Sequence, residues 1–434
     1  MQHDPTKLYA GVAVVDINKD GPSSPDDPAQ AKAIVFRQGK EQAALVICDV
    51  INVAAVATHA REQAARESGI PLPYVSVSAT HTHANTEGAD DLPDRVARAV
   101  IEAQAAARAV SLETGSASRG DLSFNRRFLM RDGTVMMNPG RLNPEVVRPV
   151  GPIDPEIGIV LLRDAAGDRP YASLTSFALH LTGSGEHLKK ADYAYWLEQS
   201  LRGLLGDRFV SVFGAGCCED INQADVSRQD YYRVRKRGQF MLQDYVPKEP
   251  AGPPQRVNPK ITGEALAETI GAAIPQLKRQ QPALAMRSEV INVPLATYSD
   301  MDLAWAKEAQ GQKLAALTPW RVERILDLER LRRRYGEHLP VTVQAFRLAQ
   351  DTAIVTLPGE VFVELGMAIK AASPFANTLV IELSNDPEHI ASVPPRKSFC
   401  ENHFEVIYSR LECGGGEVMV DAAVRMLRQL SARG

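Results

Sequence analysis

Two histidines stand one residue apart in Thr80-His81-Thr82-His83, where a short apolar stretch at 74–78 gives out. Histidine is scarce, nine among 434 residues, so the pairing carries weight. Alternate residues of an extended segment share a side, which lets both imidazoles face one site. Imidazole suits zinc, and such a pair supplies two ligands, or one ligand and a group that works beside the metal. A chance pair on an exposed turn is the plainer alternative. His180 closes the apolar run 171–179 and precedes Leu181-Thr182-Gly183, where a hydrogen-bonded structural role competes with a functional one. Glu360 follows Leu357-Pro358-Gly359 and opens a helical stretch, so its carboxylate suits either chemistry or simply the helix dipole. His389 ends the polar segment Ser384-Asn385-Asp386-Pro387-Glu388-His389. Asp220 and Asn222 come just after Gly214-Ala215-Gly216-Cys217-Cys218, small residues that let backbone approach a ligand closely. No GxxxxGKS/T or post-strand GxGxxG is present, which excludes the usual phosphate cradles. GxSxG and HExxH are missing as well, so the familiar serine-esterase and zincin arrangements lose their signatures.

These residues sit at the ends of short apolar runs. The pattern predicts strands over 11–17, 33–36, 43–50, 74–78, 110–118, 158–163, 171–179 and 209–213. Helical spacing marks 54–68, 95–109, 195–205 and 263–278. The last third adds strands over 286–294, 341–348, 352–357 and 378–383, with helices over 300–310, 319–335, 361–372 and 417–430. Alternating strands and helices predict an α/β fold: a layered mixed β-sheet core flanked by helices. Strand ends are where such folds place functional groups. The segment 122–155 reads as a long irregular stretch, unusual unless it serves the site. Residues 244–259, rich in Pro and Lys, read as an exposed loop. Arg332-Arg333-Arg334 reads as a solvated helix face. With no internal repeat and no obvious linker, 1–434 reads as a single domain, with a helical insertion at about 298–338.

Composition excludes several classes. Apolar residues make up 44% of the chain, enough for a real core. The net charge of −4, from 49 basic and 53 acidic side chains, argues against nucleic acid as a partner. A membrane-spanning helix needs roughly 20 consecutive apolar residues, and the runs here are strand-length. Residues 1–7 are polar with no apolar segment behind them, so no signal peptide is read and a cytoplasmic location is expected. Five cysteines, an odd number without a CxxC pair, read as free thiols in a reducing compartment.

Taken in order, these pieces resemble the neutral (non-lysosomal) ceramidase superfamily. The likeness runs from Gly11-Val12-Ala13-Val14-Val15-Asp16-Ile17 through Thr80-His81-Thr82-His83 to Asn125-Arg126-Arg127 and Asn138-Pro139. It continues with His180-Leu181-Thr182, Asp192-Tyr193, Glu219-Asp220-Ile221-Asn222 and Leu357-Pro358-Gly359-Glu360. Val393-Pro394-Pro395-Arg396 and Phe404-Glu405 close the series. The resemblance implies a ceramidase-like catalytic domain with a zinc ion on His81, His180, Glu360 and a late residue in 385–392. The family's late tyrosine is missing, and its place falls on His389. The family's serine nucleophile is replaced by Asn222, whose amide cannot take that role. The immunoglobulin-like tail of true ceramidases has no counterpart in the sequence.

The expectation that follows is a zinc-dependent hydrolase that cleaves an amide or ester bond of a small polar substrate with metal-activated water. His83 and Arg126 would act on the substrate beside the metal, and Asp220 and Asn222 would line the pocket. Asn125, Asp192, Tyr193 and Asn385 are the expected substrate contacts, and Asp192, Tyr193 and Arg126 would also suit a sugar. One alternative is therefore a metal-dependent glycoside hydrolase or lyase acting on a carbohydrate. Another is a catalytically inactive ligand-binding protein of the same fold. The expected partner is a small molecule, without nucleic acid or membrane. A homo-oligomer is also considered, because charged helices at 300–335 can decorate an interface.

Overall fold

The computed structural model describes residues 4–19, 26–54, 56–85, 89–140, 142–223, 258–314, 317–401 and 403–432. The loop read at 244–259 lies almost wholly outside the described residues. A nine-stranded mixed sheet is built on β1 (Tyr9–Asp16), β2 (Gln30–Gln38), β3 (Glu41–Cys48), β4 (Val75–Ala79), β5 (Arg108–Ser118), β6 (Glu156–Asp164), β7 (Arg169–Phe177) and β8 (Val210–Ala215). Its order is β8-β7-β6-β5-β1-β2-β3-β4, with Lys278–Gln280 added against β5. A second, four-stranded sheet runs in sequence order: β9 (Pro282–Pro294), β10 (His338–Ala349), β11 (Thr352–Thr356) and β12 (Asn377–Ile381).

The two sheets pack face to face because most long strands are apolar on both sides. On β2, Ile34 and Phe36 point into a core shared with Phe346, Leu348, Ile354 and Leu379 of the second sheet. Ala31, Ala33 and Val35 point the other way, onto α1 (Ala57–Ser68) and α2 (Leu92–Ala105). Ile157, Ile159 and Leu161 of β6 turn outward beneath α3 (Asp192–Leu205) and α4 (Pro259–Ala273). Val341, Val343 and Val355 of the second sheet meet α7 (Val363–Ala372) and α8 (Gly415–Ser431). The result is four layers, helix–sheet–sheet–helix, the mixed α/β architecture that the sequence pattern predicts.

Within these two sheets three strand pairs are parallel among the described residues: β3 with β4, β7 with β8, and β11 with β12. Their carboxyl ends are stitched together across the two sheets. The Ala79 N–H donates to the Leu383 carbonyl (3.1 Å), Glu382 to Ala215 (3.0 Å), Gly216 to Phe177 (3.0 Å) and Thr80 to Cys48 (2.9 Å). The expected site residues leave the sheets at this seam.

Segment 122–155 is more ordered than its composition suggests. Phe124–Asn125 pairs with Ile221–Asn222, and Arg127–Met130 pairs with both Val135–Met137 and Val146–Pro149. Strands of two to four residues are too short to leave a periodic trace in the sequence. Between β9 and β10 lie α5 (Asp300–Ala309) and α6 (Thr318–Tyr335). The three-arginine run is only partly a solvated face. Arg333 is exposed beside Glu329, but Arg332 donates to the Leu295 and Ala296 carbonyls and Arg334 reaches Glu388. All five cysteines are unpaired thiols. Among the described residues no helix is long and apolar enough to cross a membrane.

Candidate metal centre and its cavity

His81 and His180 converge because two strand exits meet. An isolated bridge joins Thr82 to Leu181, and the His83 N–H donates to the Leu181 carbonyl at 3.0 Å. His81 sits at φ +65°, an uncommon backbone state for a residue with a side chain. The two imidazoles of the HxH pair therefore meet through a tight turn, rather than by strand alternation. Their Nε2 atoms lie 3.4 Å apart, and the Nε2 atoms of His81 and His180 are 3.2 Å apart. Both inner rings are buried, while His83 is exposed.

The far nitrogens fix the tautomers. His81 Nδ1 lies 2.7 Å from the Ile51 carbonyl, and His180 Nδ1 lies 2.6 Å from the Cys218 carbonyl. A carbonyl can only accept, so each Nδ1 carries a proton and Nε2 is the nitrogen left facing the cluster. Burial, with Arg126 and the two other imidazoles nearby, holds the His180 pKa well below the usual histidine value. Lone pairs converging beside a carboxylate are what a divalent ion requires.

That carboxylate is Glu360, whose Oε2 lies 3.6 Å from His81 Nε2. It is aimed by the turn before it. Gly359 adopts φ +80°, and an added Cβ would meet Val393 at 2.7 Å and Ile390 at 2.8 Å. The Gly359 N–H donates to Asp386 (2.7 Å), and the Glu360 N–H donates to the Ala391 carbonyl (3.0 Å). His389 reaches the cluster through Glu360, with Nε2 3.4 Å from Oε1. Burial disfavours a charge on Glu360, but His81 and His389 overcome it and hold its pKa well below the carboxylate range. Its neighbour Glu219 is pushed well above that range, chiefly by burial, against the pull of Arg126. Of the two, Glu360 is the one whose surroundings favour the charged form.

Arg126 is buried and engaged on two sides. Its Nη2 contacts Glu219 at 3.0 Å, its Nε donates to Glu405 at 2.9 Å, and its Nη1 lies 3.5 Å from His180 Nε2. Arg126 drives the Glu405 pKa down to about 2 despite its burial.

The cluster floors a cavity of about 460 Å³. His81, His83, His180, Arg126, Glu360 and Asn222 all line it. Other expected residues lie outside the lining. Asp220 is fully buried, holding Asn125 Nδ2 (2.7 Å), Arg127 Nη2 (3.2 Å) and the Val363 N–H (3.0 Å). Asp192 accepts from the Gly183 N–H, and Tyr193 donates to the Leu179 carbonyl. Asn385 braces β4 by accepting from the Val77 N–H at 2.9 Å. These five residues position the site's walls. Sequence reasoning did not single out Gln223, Trp320 or Tyr408, and it gave no role to Phe404 or Glu219. Trp320 comes from the charged helix α6, and no local spacing marks it as a pocket residue.

No protein-family model matches the chain. No curated protein matches it in sequence. Solved structures do resemble it. Neutral ceramidase from Pseudomonas aeruginosa superposes with a TM-score of 0.67 at 17% identity, covering 99% of this chain and 75% of that one. A ceramidase complexed with C2 superposes with a TM-score of 0.65 at 16% identity, covering 99% and 76%. At such identities it is the backbone architecture that the superposition compares, and by that measure the chain has the neutral ceramidase fold.

Proposed function

We propose that this chain is a metal-dependent hydrolase acting on an amide or ester bond of a small polar molecule. The observation that carries the reading is the pair of Nε2 atoms 3.2 Å apart, each ring tied at Nδ1 to a backbone carbonyl, with Glu360 alongside. His81, His180 and Glu360 would hold the ion, and His389 would complete the set. Imidazoles and a carboxylate suit zinc. When bound, a zinc ion supplies Lewis-acid polarisation of the scissile group and lowers the pKa of bound water to about 7.

The remaining work falls to the chain's own groups. His83 is exposed at the cavity and able to exchange protons with solvent, which suits it to deliver one to the leaving group. Arg126 is fixed between Glu219 and Glu405, and its Nη1 adds a preorganised positive charge where an oxyanion develops. Asn222 lines the cavity as an amide, which is no nucleophile, and this supports water as the attacking species. The neutral ceramidase fold agrees with hydrolysis, although fold alone does not set the substrate.

The test is elemental analysis combined with a hydrolysis screen over N-acyl and O-acyl compounds. The wild type should hold stoichiometric zinc and hydrolyse a member of the screen. His81→Ala and Glu360→Ala should fold but lose both properties. Zinc at wild-type occupancy in either variant overturns the ligand assignment. A folded wild type that takes up no zinc and cleaves nothing supports a binding protein instead.

A further inference from the structure

The cavity over the histidine cluster has two unlike walls. One is aromatic: Phe404 stacks on Tyr408 (centroids 5.3 Å apart, planes 16° apart), and Trp320 stands edge-on to both, 5.3 Å away. The other is built from amides, namely Asn138, Asn222 and Gln223. The Asn222 Nδ2 donates to the Asn138 Oδ1 at 2.7 Å, so the coupled pair still offers the Asn138 NH₂ and the Asn222 carbonyl. Gln223 is fixed more strictly. Its Nε2 donates to the His180 carbonyl at 2.8 Å, which sets the amide orientation. Its Oε1 is buried and without a hydrogen-bond partner among the described residues. A buried acceptor in that state is costly unless a donor reaches it, and a ligand hydroxyl or amide N–H is such a donor.

Charge narrows the ligand further. Arg126 is the one arginine or lysine among the described lining residues, and Glu219 and Glu405 engage it on two sides. Away from the histidine cluster, no free cation among the described lining residues waits for a carboxylate, sulfate or phosphate. A ligand suited to this cavity is therefore uncharged, presents an apolar face to three rings, and carries hydroxyl or amide groups on its rim. A volume of about 460 Å³ suits one small ligand.

We infer that the cavity is a subsite for a neutral sugar ring, its C–H face on the Trp320–Phe404–Tyr408 wall and its hydroxyls or N-acyl group read by Asn138, Asn222 and Gln223. The inference rests on the hydrolase reading for the bond that is cleaved, but not for how the ring is held. An N-acylated amino sugar satisfies both, placing its amide over the histidine cluster and its ring on the aromatic wall.

The test is saturation-transfer NMR on the full chain, with and without chelator. The probes are the methyl glycosides of glucose, galactose and N-acetylglucosamine, with glucuronate, adenosine and N-hexanoyl ethanolamine as contrasts. At least one neutral glycoside should bind in both conditions, and glucuronate should not. Trp320→Ala and Gln223→Ala should each weaken that binding by roughly tenfold or more. Trp320→Phe should retain most of it, which separates a lost ring from a lost fold. A deoxy glycoside lacking the hydroxyl that Gln223 reads should bind the wild type and Gln223→Ala equally. Binding of adenosine or the acyl amide with no glycoside bound would overturn the subsite, as would glycoside binding indifferent to both alanine variants. The two readings fail separately. A glycoside that binds while no substrate is ever cleaved removes the hydrolase. A simple acyl amide that is hydrolysed while no glycoside binds removes the sugar.

Discussion

Arg126, His83 and Gly359 show how single side chains set the site. Arg126 sits between two buried carboxyl groups, so removing it leaves the buried Glu405 charge, beside Glu219, with only the His403 ring at 3.1 Å to face it. Breaking a buried pair in this way is worth about 3–5 kcal/mol. Arg126→Ala should therefore lower stability by that order, read by denaturant unfolding, as well as reducing activity. His83 is exposed and its backbone N–H holds the Leu181 carbonyl, so its ring can be removed without unfolding the turn. His83→Ala should keep zinc while kcat/KM falls by roughly 100-fold or more; loss of zinc would instead make His83 a ligand. Gly359→Ala meets both a left-handed φ and two side chains closer than 3 Å. Circular dichroism should show a folded protein whose zinc content drops, because the strain lies in the turn that aims Glu360.

At the scale of elements, α6 is tied to the site rather than standing apart from it. Arg330 and Arg334 grip the two oxygens of Glu388 at 2.7 and 2.8 Å, and the Tyr335 hydroxyl lies 3.2 Å from one of them. Glu388 is the residue before His389, so one turn of α6 holds the loop that carries the expected fourth ligand. The same helix grips the other side of the cavity: buried Arg410 pairs with Asp327 and Glu323, and Arg324 donates to the Ser409 carbonyl at 2.6 Å. Trp320, in its first turn, lines the cavity. Groups that orient ligands typically change metal affinity by about 10–100-fold when removed. Glu388→Gln should therefore weaken zinc binding by that order in a chelator competition, with little change in unfolding midpoint. If His389→Ala loses zinc but Glu388→Gln does not, the helix is packing alone.

For the whole molecule, pH gives a test of the seam where the sheets meet. Asp49 is buried just beyond β3, accepting from the Gln30 N–H at 3.0 Å, and burial raises its pKa from 3.8 to about 6. The folded state thus binds this proton more tightly than the unfolded chain does. The resulting stability is fully present below pH 3.8 and is lost as pH rises through about 6. A difference of that size is worth about 3 kcal/mol. Asp49→Asn should make the protein relatively more stable at neutral pH and flatten the slope of unfolding free energy across that window. A variant that melts in parallel with the wild type from acid to neutral pH would show that Asp49 does not titrate there.

The sequence by itself determined the layered α/β architecture, because the spacing of apolar residues is local and decides which faces each strand and helix can bury. It also marked His81, His83, His180 and Glu360, since each stands where an apolar run stops and a polar residue has little reason to be. It could not say that the HxH rings meet through a left-handed turn, because backbone state at one residue follows from what the strand exit packs against. Asp220 read as a pocket-lining residue and Asn125 as a substrate contact, yet folding turns them onto Arg127 and Pro152. Arg126 read only as a group acting on the substrate, and the sequence did not show that Glu219 and Glu405, 93 and 279 residues away, close on it. The aromatic wall unites Trp320 of α6 with Phe404 and Tyr408 near the end of the chain. Such contacts are set by how layers stack, and only the tertiary structure decides them.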